Sequence, residues 1–127
     1  MIFVDTNVFM YAVGRDHPLR AEAQQFFERS IVDGRALATS AEVLQELLHA
    51  YLPVGREETL DAALALAETV PTVWPVEAAD VLLARQLAHD HRGLGARDLL
   101  HLATCRRHAV TRVQTFDRAL SAAVTSA

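Results

Sequence analysis

Short, wholly apolar runs alternate along the chain with longer stretches in which apolar residues recur every three or four positions. A continuous apolar run predicts a buried strand, and a 3.6-residue period predicts a helix with one buried face. The predicted strands cover residues 2–4, 36–38, 71–76 and 109–116. The predicted helices cover residues 6–14, 18–33, 41–52, 57–70, 77–91, 97–108 and 117–124. Prolines flank the third strand, which predicts a position at an edge of the sheet.

This alternation of strands with helices of ten or more residues is typical of an α/β fold around a parallel sheet. A length of 127 residues suits one domain, and no repeat or linker divides the chain, so we predict a single domain over residues 1–127. No segment reaches the ~18 consecutive apolar residues of a membrane span, and the N-terminus lacks the basic region of a signal peptide. We therefore expect a cytoplasmic protein, and its single cysteine, Cys105, fits a reducing compartment.

The charged residues exclude some functions and constrain others. The formal net charge of −4 argues against a protein that binds nucleic acid through a generally basic surface. All 12 basic residues are arginine, and the lack of lysine excludes a Walker A loop and a Schiff-base mechanism. A nucleic-acid ligand would therefore have to be bound by locally placed arginines.

Two acids follow predicted strands: Asp5 comes after the first and Asp117 after the last. The crevice beyond the carboxyl ends of parallel strands is where such sheets bind ligands. An aspartate at a strand-to-helix turn is also a common helix N-cap. Position alone favours the capping role.

Two further acids lie on predicted helices beside the apolar face. Glu46 borders the apolar stripe of its helix, and Asp98 stands in the first turn of another. If these two met the strand-end acids, their mutual repulsion would be relieved by a divalent cation. Hard oxygen ligands favour Mg²⁺ or Mn²⁺. Of the six histidines, His101 stands three residues after Asp98, and we expect it to pack or form a hydrogen bond and not to bind a metal.

Four short motifs, in order along the chain, resemble those of PIN-domain nucleases, and the length is similar to that of VapC-type toxins. They are Asp5-Thr6-Asn7, Ser40 with Val43-Leu44-Gln45-Glu46-Leu47, Arg97-Asp98-Leu99-Leu100-His101-Leu102-Ala103, and Thr115-Phe116-Asp117. The resemblance implies a three-layer α/β/α sandwich with a central parallel sheet of four or five short strands. The fifth strand is in question because the chain ends soon after Asp117.

The resemblance also implies an activity and its residues. Asp5, Glu46, Asp98 and Asp117 would hold one or two Mg²⁺ or Mn²⁺ ions, with Thr6, Asn7 and Thr115 as supporting polar residues. A metal-activated water would hydrolyse an RNA phosphodiester bond. The chain would be the toxin of a toxin–antitoxin pair, a homodimer silenced by a VapB-type antitoxin. Four arginines near the motifs are candidates for contacts with RNA phosphates: Arg15, Arg97, Arg112 and Arg118.

Other functions remain open at this stage. A PIN-fold ribonuclease could serve RNA maturation without being a toxin, and a catalytically silent PIN-like module could bind partners only. A haloacid-dehalogenase-like phosphatase also begins with an aspartate after the first strand. It requires a second aspartate two residues later, where this chain has Asn7, and it uses a lysine, so we set it aside.

Overall fold

The computed structural model describes residues 1–126, and its strands and helices follow the order predicted from the hydrophobic pattern. The strands are β1 (Ile2–Val4), β2 (Leu37–Ser40), β3 (Thr72–Trp74) and β4 (Val113–Gln114). The helices are α1 (Thr6–Val13), α2 (Pro18–Asp33), α3 (Ala41–Tyr51), α4 (Glu57–Glu68), α5 (Ala78–Leu87), α6 (Ala96–Arg107) and α7 (Arg118–Thr125).

The four strands form one parallel sheet in the order β3-β2-β1-β4. Strand β1 is central: Phe3 is in register with Ala38 of β2 on one side and with Val113 of β4 on the other. Strand β3 lies at an edge, as its prolines predict. Because every strand runs in the same direction, the turns that follow β1, β2 and β4 come together at one edge of the sheet.

Helices flank the sheet in two groups, which confirms the predicted three-layer α/β/α arrangement. Helix α1 packs against α2, α3 and α4, and α6 packs against α5 and α7. The largest wholly buried apolar side chains come from the sheet and from both helix groups: Phe3, Phe9, Leu47, Leu102 and Leu120. Among residues 1–126, no helix has both the length and the apolar character that crossing a bilayer would require.

The structure differs most from the sequence prediction in the bounds of the last strand and of α5. The last strand is two residues long and not eight, because Ala109 takes a left-handed conformation (φ 54°) and Val110 still bonds back to Cys105 of α6. Helix α5 ends at Leu87, and turns containing Gly93 lead from there to α6. Within residues 1–126 the sheet has no fifth strand, since the chain passes directly from β4 into α7.

Candidate active site

A cavity of about 590 Å³ opens at the carboxyl edge of the sheet, and the four predicted acids all line it. We call it the acidic cavity. Its acids come from four different places in the chain: Asp5 follows β1, Glu46 lies on α3, Asp98 on α6, and Asp117 follows β4. The topology therefore brings together residues that are up to 112 positions apart (117 − 5 = 112).

Asp5 is the most enclosed acid of the cavity, with 5% of its surface exposed. The backbone N–H of Thr6 donates to its Oδ1 at 2.7 Å, and the Thr115 hydroxyl donates to its Oδ2 at 2.7 Å. Burial raises the pKa of Asp5, although the positive charge of His101 and the Thr115 hydrogen bond act against it. Asp5 is also the N-cap of α1, so the capping role and the place in the cavity occur together.

Glu46 is held at both of its carboxylate oxygens. The Thr6 hydroxyl donates to Oε2, and the His101 Nε2 lies 3.1 Å from Oε1. Burial alone would raise the pKa of Glu46, but its hydrogen bond with His101 and the charge of that ring lower it overall. The orientation of α3 follows from its cap, since the Ser40 hydroxyl at the end of β2 accepts from the Val43 N–H.

Asp98 and Asp117 complete the ring of acids. The pKa of Asp98 is raised to about 6. Burial is the largest cause, and the negative charges of Asp117 and Asp5 contribute further. Asp117 caps α7 by accepting from the Leu120 N–H at 3.1 Å, and its own N–H donates to Thr115 at 3.0 Å. Burial is the main cause of the raised pKa values of Asp98 and Asp5, and for Asp98 the neighbouring carboxylates add to it.

The predicted supporting residues tie α1 to the turn after β4. Asn7 donates from Nδ2 to the Thr115 hydroxyl at 3.2 Å and accepts from the Phe116 N–H at 3.2 Å. Thr115 in turn bonds to Asp5. These bonds fix the two strand-end acids relative to each other, because each acid contacts Thr115 directly.

His101 lies deeper in the site than the sequence indicated. Its side chain is 1% exposed, and Nε2 is 3.1 Å from Glu46 and 3.6 Å from Asp5 Oδ1. The ring packs beside Phe3, with ring centroids 5.5 Å apart. Single ligand atoms of His101, Asp5 and Glu46 lie within 4.8 Å of one another, which is compact enough for one cation. The sequence signal was its spacing of three residues from Asp98, which puts both on one helix face.

The four candidate arginines are not equivalent. Arg97 lines the acidic cavity, and its charge is among those that lower the pKa of Glu46. Arg15 lines a second cavity that adjoins the first. Arg112 precedes β4 and so lies at the end of that strand away from Thr115, while Arg118 is exposed at the start of α7. Neither of these two lines the acidic cavity.

Comparison with known proteins gives consistent relatives. The profile of the PIN domain family matches residues 2–124. The sequence is 64% identical to Ribonuclease VapC23 of Mycobacterium tuberculosis over 126 residues, which cover 99% of this chain and 100% of that protein. The fold is similar to the crystal structure of Mycobacterium tuberculosis VapC20, described as a sarcin-ricin loop cleaving toxin, with a TM-score of 0.79, 25% identity and coverage of 97% and 95%.

A third relative shares the fold. The structure of VapBC2 from Rickettsia felis bound to a DNA fragment from their promoter contains a chain that matches with a TM-score of 0.70 and 19% identity. The match covers 92% of this chain and 88% of that one. The fold is therefore shared by proteins of widely different sequence.

Proposed function

The chain belongs to the PIN domain family, and we propose that it is a metal-dependent endoribonuclease of the VapC type whose active site is the acidic cavity. The convergence of Asp5, Glu46, Asp98 and Asp117 on one cavity carries this proposal. The 64% identity to a ribonuclease over the whole of that protein supports RNA as the substrate.

The cavity suits a small divalent cation of the Mg²⁺ or Mn²⁺ kind. Its donors are mainly carboxylate oxygens, and the raised pKa of Asp98, due to burial and then to the charges of Asp117 and Asp5, is what a cluster of partly buried carboxylates produces. One or two such ions would be held by these acids together with Glu46 and Asp117. When bound, a metal ion supplies an activated water and stabilises charge on the phosphate oxygens.

The protein's own contribution is to hold these carboxylates in fixed positions. Asp5 is oriented by Thr115, and Glu46 by Thr6 and His101, so each presents its oxygens without rearrangement. Arg97 stands at the cavity wall, where its guanidinium can contact a phosphate of the substrate. No side chain needs to attack the phosphorus atom.

Cleavage of RNA by the purified protein tests the activity. We expect cleavage with Mg²⁺ or Mn²⁺, none with EDTA, and none from Asp5→Asn or Asp98→Asn at any metal concentration. Asp61→Asn, a change at an exposed acid on α4, is the matched control and should cleave as the wild type does. Circular dichroism confirms that each variant is folded. Cleavage that persists in EDTA or in Asp98→Asn would refute the proposal.

The biological role proposed is that of a toxin paired with a VapB-type antitoxin, acting on RNA in the cytoplasm. Expression of the chain alone should arrest growth, and Asp5→Asn should not. Co-expression of the antitoxin encoded beside it should restore growth. RNA cleavage without growth arrest would instead assign the chain to RNA processing. Absence of both Mn²⁺ binding and RNA cleavage would indicate that the chain is a catalytically silent module that only binds partners.

We further propose that the chain forms a homodimer through α5. Val81 and Leu82 on this helix are 53% and 66% exposed, and beside them an apolar groove of about 400 Å³ is lined by Ala84 and Leu99. Apolar surface of this kind is stabilised when a second copy covers it. Light scattering should give a dimer for the wild type and a monomer for Leu82→Glu. A monomeric wild type at micromolar concentration would overturn this arrangement.

A further inference from the structure

A second cavity, of about 450 Å³, adjoins the acidic cavity, and the two share Asn7 and Met10 in their walls. It lies between the end of α1, the start of α2 and the end of α3. Its volume is within the range of roughly 300–1,000 Å³ typical of small-molecule sites. Because its lining combines aromatic rings with arginines, we call it the aromatic–arginine cavity.

The aromatic part is a pair of contacting rings. Tyr11 and His17 lie with centroids 4.6 Å apart at an interplanar angle of 39°. The edge-on ring of Phe116 supports Tyr11 from another side at 5.3 Å. His17 is fixed as the cap of α2, since its Nδ1 accepts from the Leu19 N–H at 3.0 Å. Tyr11 is half-buried and His17 is exposed, so part of the pair is accessible from solvent.

The charged part is positive, in contrast to the acidic cavity. Arg15 and Arg56 line this cavity together with one acid, Asp16, which gives a formal balance of +1 with His17 neutral (2 − 1 = 1). The Arg56 guanidinium lies 5.8 Å from the centre of the Tyr51 ring, which directs the side chain along the cavity wall. A chain with a net charge of −4 therefore has a local positive site directly beside its ring of carboxylates.

Asn7 lines both cavities, and its hydrogen bonds connect residues of one cavity with residues beside the other. Asn7 bonds to Thr115, which holds Asp5 in the acidic cavity, and it also accepts from the backbone of Phe116. Phe116 is the ring that supports Tyr11. Because the two cavities share part of their walls, a polynucleotide with one phosphate at the acids can extend into the aromatic–arginine cavity.

We propose that the aromatic–arginine cavity binds the single-stranded nucleotide next to the scissile phosphodiester, with its base packed against the Tyr11–His17 pair and its phosphate contacted by Arg15 and Arg56. Aromatic rings that stack bases, together with cations that follow the backbone, are the usual means of holding single-stranded RNA. The inference rests on the proposed ribonuclease function and adds to it a position at which the substrate must be unpaired.

Substitutions of Tyr11 test the contact between the base and the Tyr11–His17 pair. The probe is a short, unstructured oligoribonucleotide of mixed sequence that the wild type cleaves. Tyr11→Leu should raise its KM about tenfold and leave kcat within about twofold, and in an Asp98→Asn background it should weaken binding of the uncleaved probe by the same factor. Tyr11→Phe keeps the ring and should behave as the wild type.

Substitutions at the two arginines test the phosphate contact. A plot of log affinity against log salt concentration has a negative slope. Arg15→Ala and Arg56→Ala should each make it less steep by about 0.7, because each removes one phosphate contact. Arg29→Ala, at an exposed position of α2 away from both cavities, is the matched control and should leave the slope unchanged. Mn²⁺ binding measured by calorimetry should be the same in Tyr11→Leu, Arg15→Ala and Arg56→Ala as in the wild type, because none of these substitutions changes an acid.

The outcomes separate this inference from the proposed function. A wild type that does not cleave RNA refutes the function itself. A wild type that cleaves, with unchanged KM and binding in Tyr11→Leu, overturns the nucleotide subsite alone. If Tyr11→Leu weakens binding of the antitoxin but not of the oligoribonucleotide, the cavity is a peptide site and the inference is equally overturned.

Discussion

Asp98→Asn should make the metal-free protein more stable at neutral pH while it removes cleavage. The pKa of Asp98 rises from 3.8 to about 6 in the folded state, chiefly through burial and then through the charges of Asp117 and Asp5. A shift of about two pKa units corresponds to ~3 kcal/mol, and solvent at this partly exposed side chain reduces the expected gain to ~1–2 kcal/mol. The folded state therefore binds the proton more tightly than the unfolded state.

The sign of this effect sets its dependence on pH. Below about pH 4 the Asp98 carboxyl is protonated in both the folded and the unfolded state, so it does not change the free energy of unfolding. As the pH rises towards about 6 and beyond, its ionisation lowers the free energy of unfolding progressively. The gain from Asp98→Asn should therefore be small near pH 4 and complete near pH 8. Mn²⁺ should reduce the difference in unfolding free energy between the variant and the wild type, because it stabilises the wild type more than the variant.

Urea unfolding in EDTA at about pH 4 and about pH 8 measures this difference. Asp61→Asn, on the exposed face of α4, serves as the control and should change stability by less than ~0.5 kcal/mol. An Asp98→Asn variant no more stable than the wild type near pH 8 would contradict the reasoning, as would a gain of equal size at both values. Either result would mean that the cavity carries no electrostatic strain.

Three other substitutions or treatments give separate expectations. His101→Leu should weaken Mn²⁺ binding about tenfold by calorimetry, because Glu46 loses a fixed donor, and His101→Gln should restore most of it through its amide N–H. Ser40→Ala should lower the unfolding free energy by ~1 kcal/mol in urea titrations, because the Val43 N–H loses its cap, and Ser40→Thr should not. Cys105, whose burial raises its pKa to about 12, should react with iodoacetamide at neutral pH only after unfolding in urea.

The hydrophobic pattern predicts the order of elements and much of the site, for definable reasons. Asp5 and Asp117 could be placed at one sheet edge because parallel strands end together. Glu46 and Asp98 could not be placed in this way, because the rotation of a helix over a sheet depends on packing between distant residues. Their assignment to one site came from the resemblance of the motifs. The His101–Glu46 contact was missed because its partners lie 55 positions apart.

The arginines and aromatic rings illustrate the same limit. Their positions depend on the loops after α1 and α3, whose conformations a periodic pattern does not determine. Arg112 was a candidate because it is close in sequence to Asp117, yet it stands before β4 and not at the carboxyl edge of the sheet. The Tyr11–His17 pair gave no sequence signal, because it forms across the turn that joins two helices.

The distribution of the acids along the chain has a consequence for synthesis. Asp5 leaves the ribosome well before its partner Thr115 and the cap of α7, which are made more than a hundred residues later. Until β4 pairs with β1 and Leu120 is buried, the part of the acidic cavity that Asp117 lines is not formed. The acidic cavity therefore cannot be complete in a nascent chain before Leu120 has emerged from the ribosome.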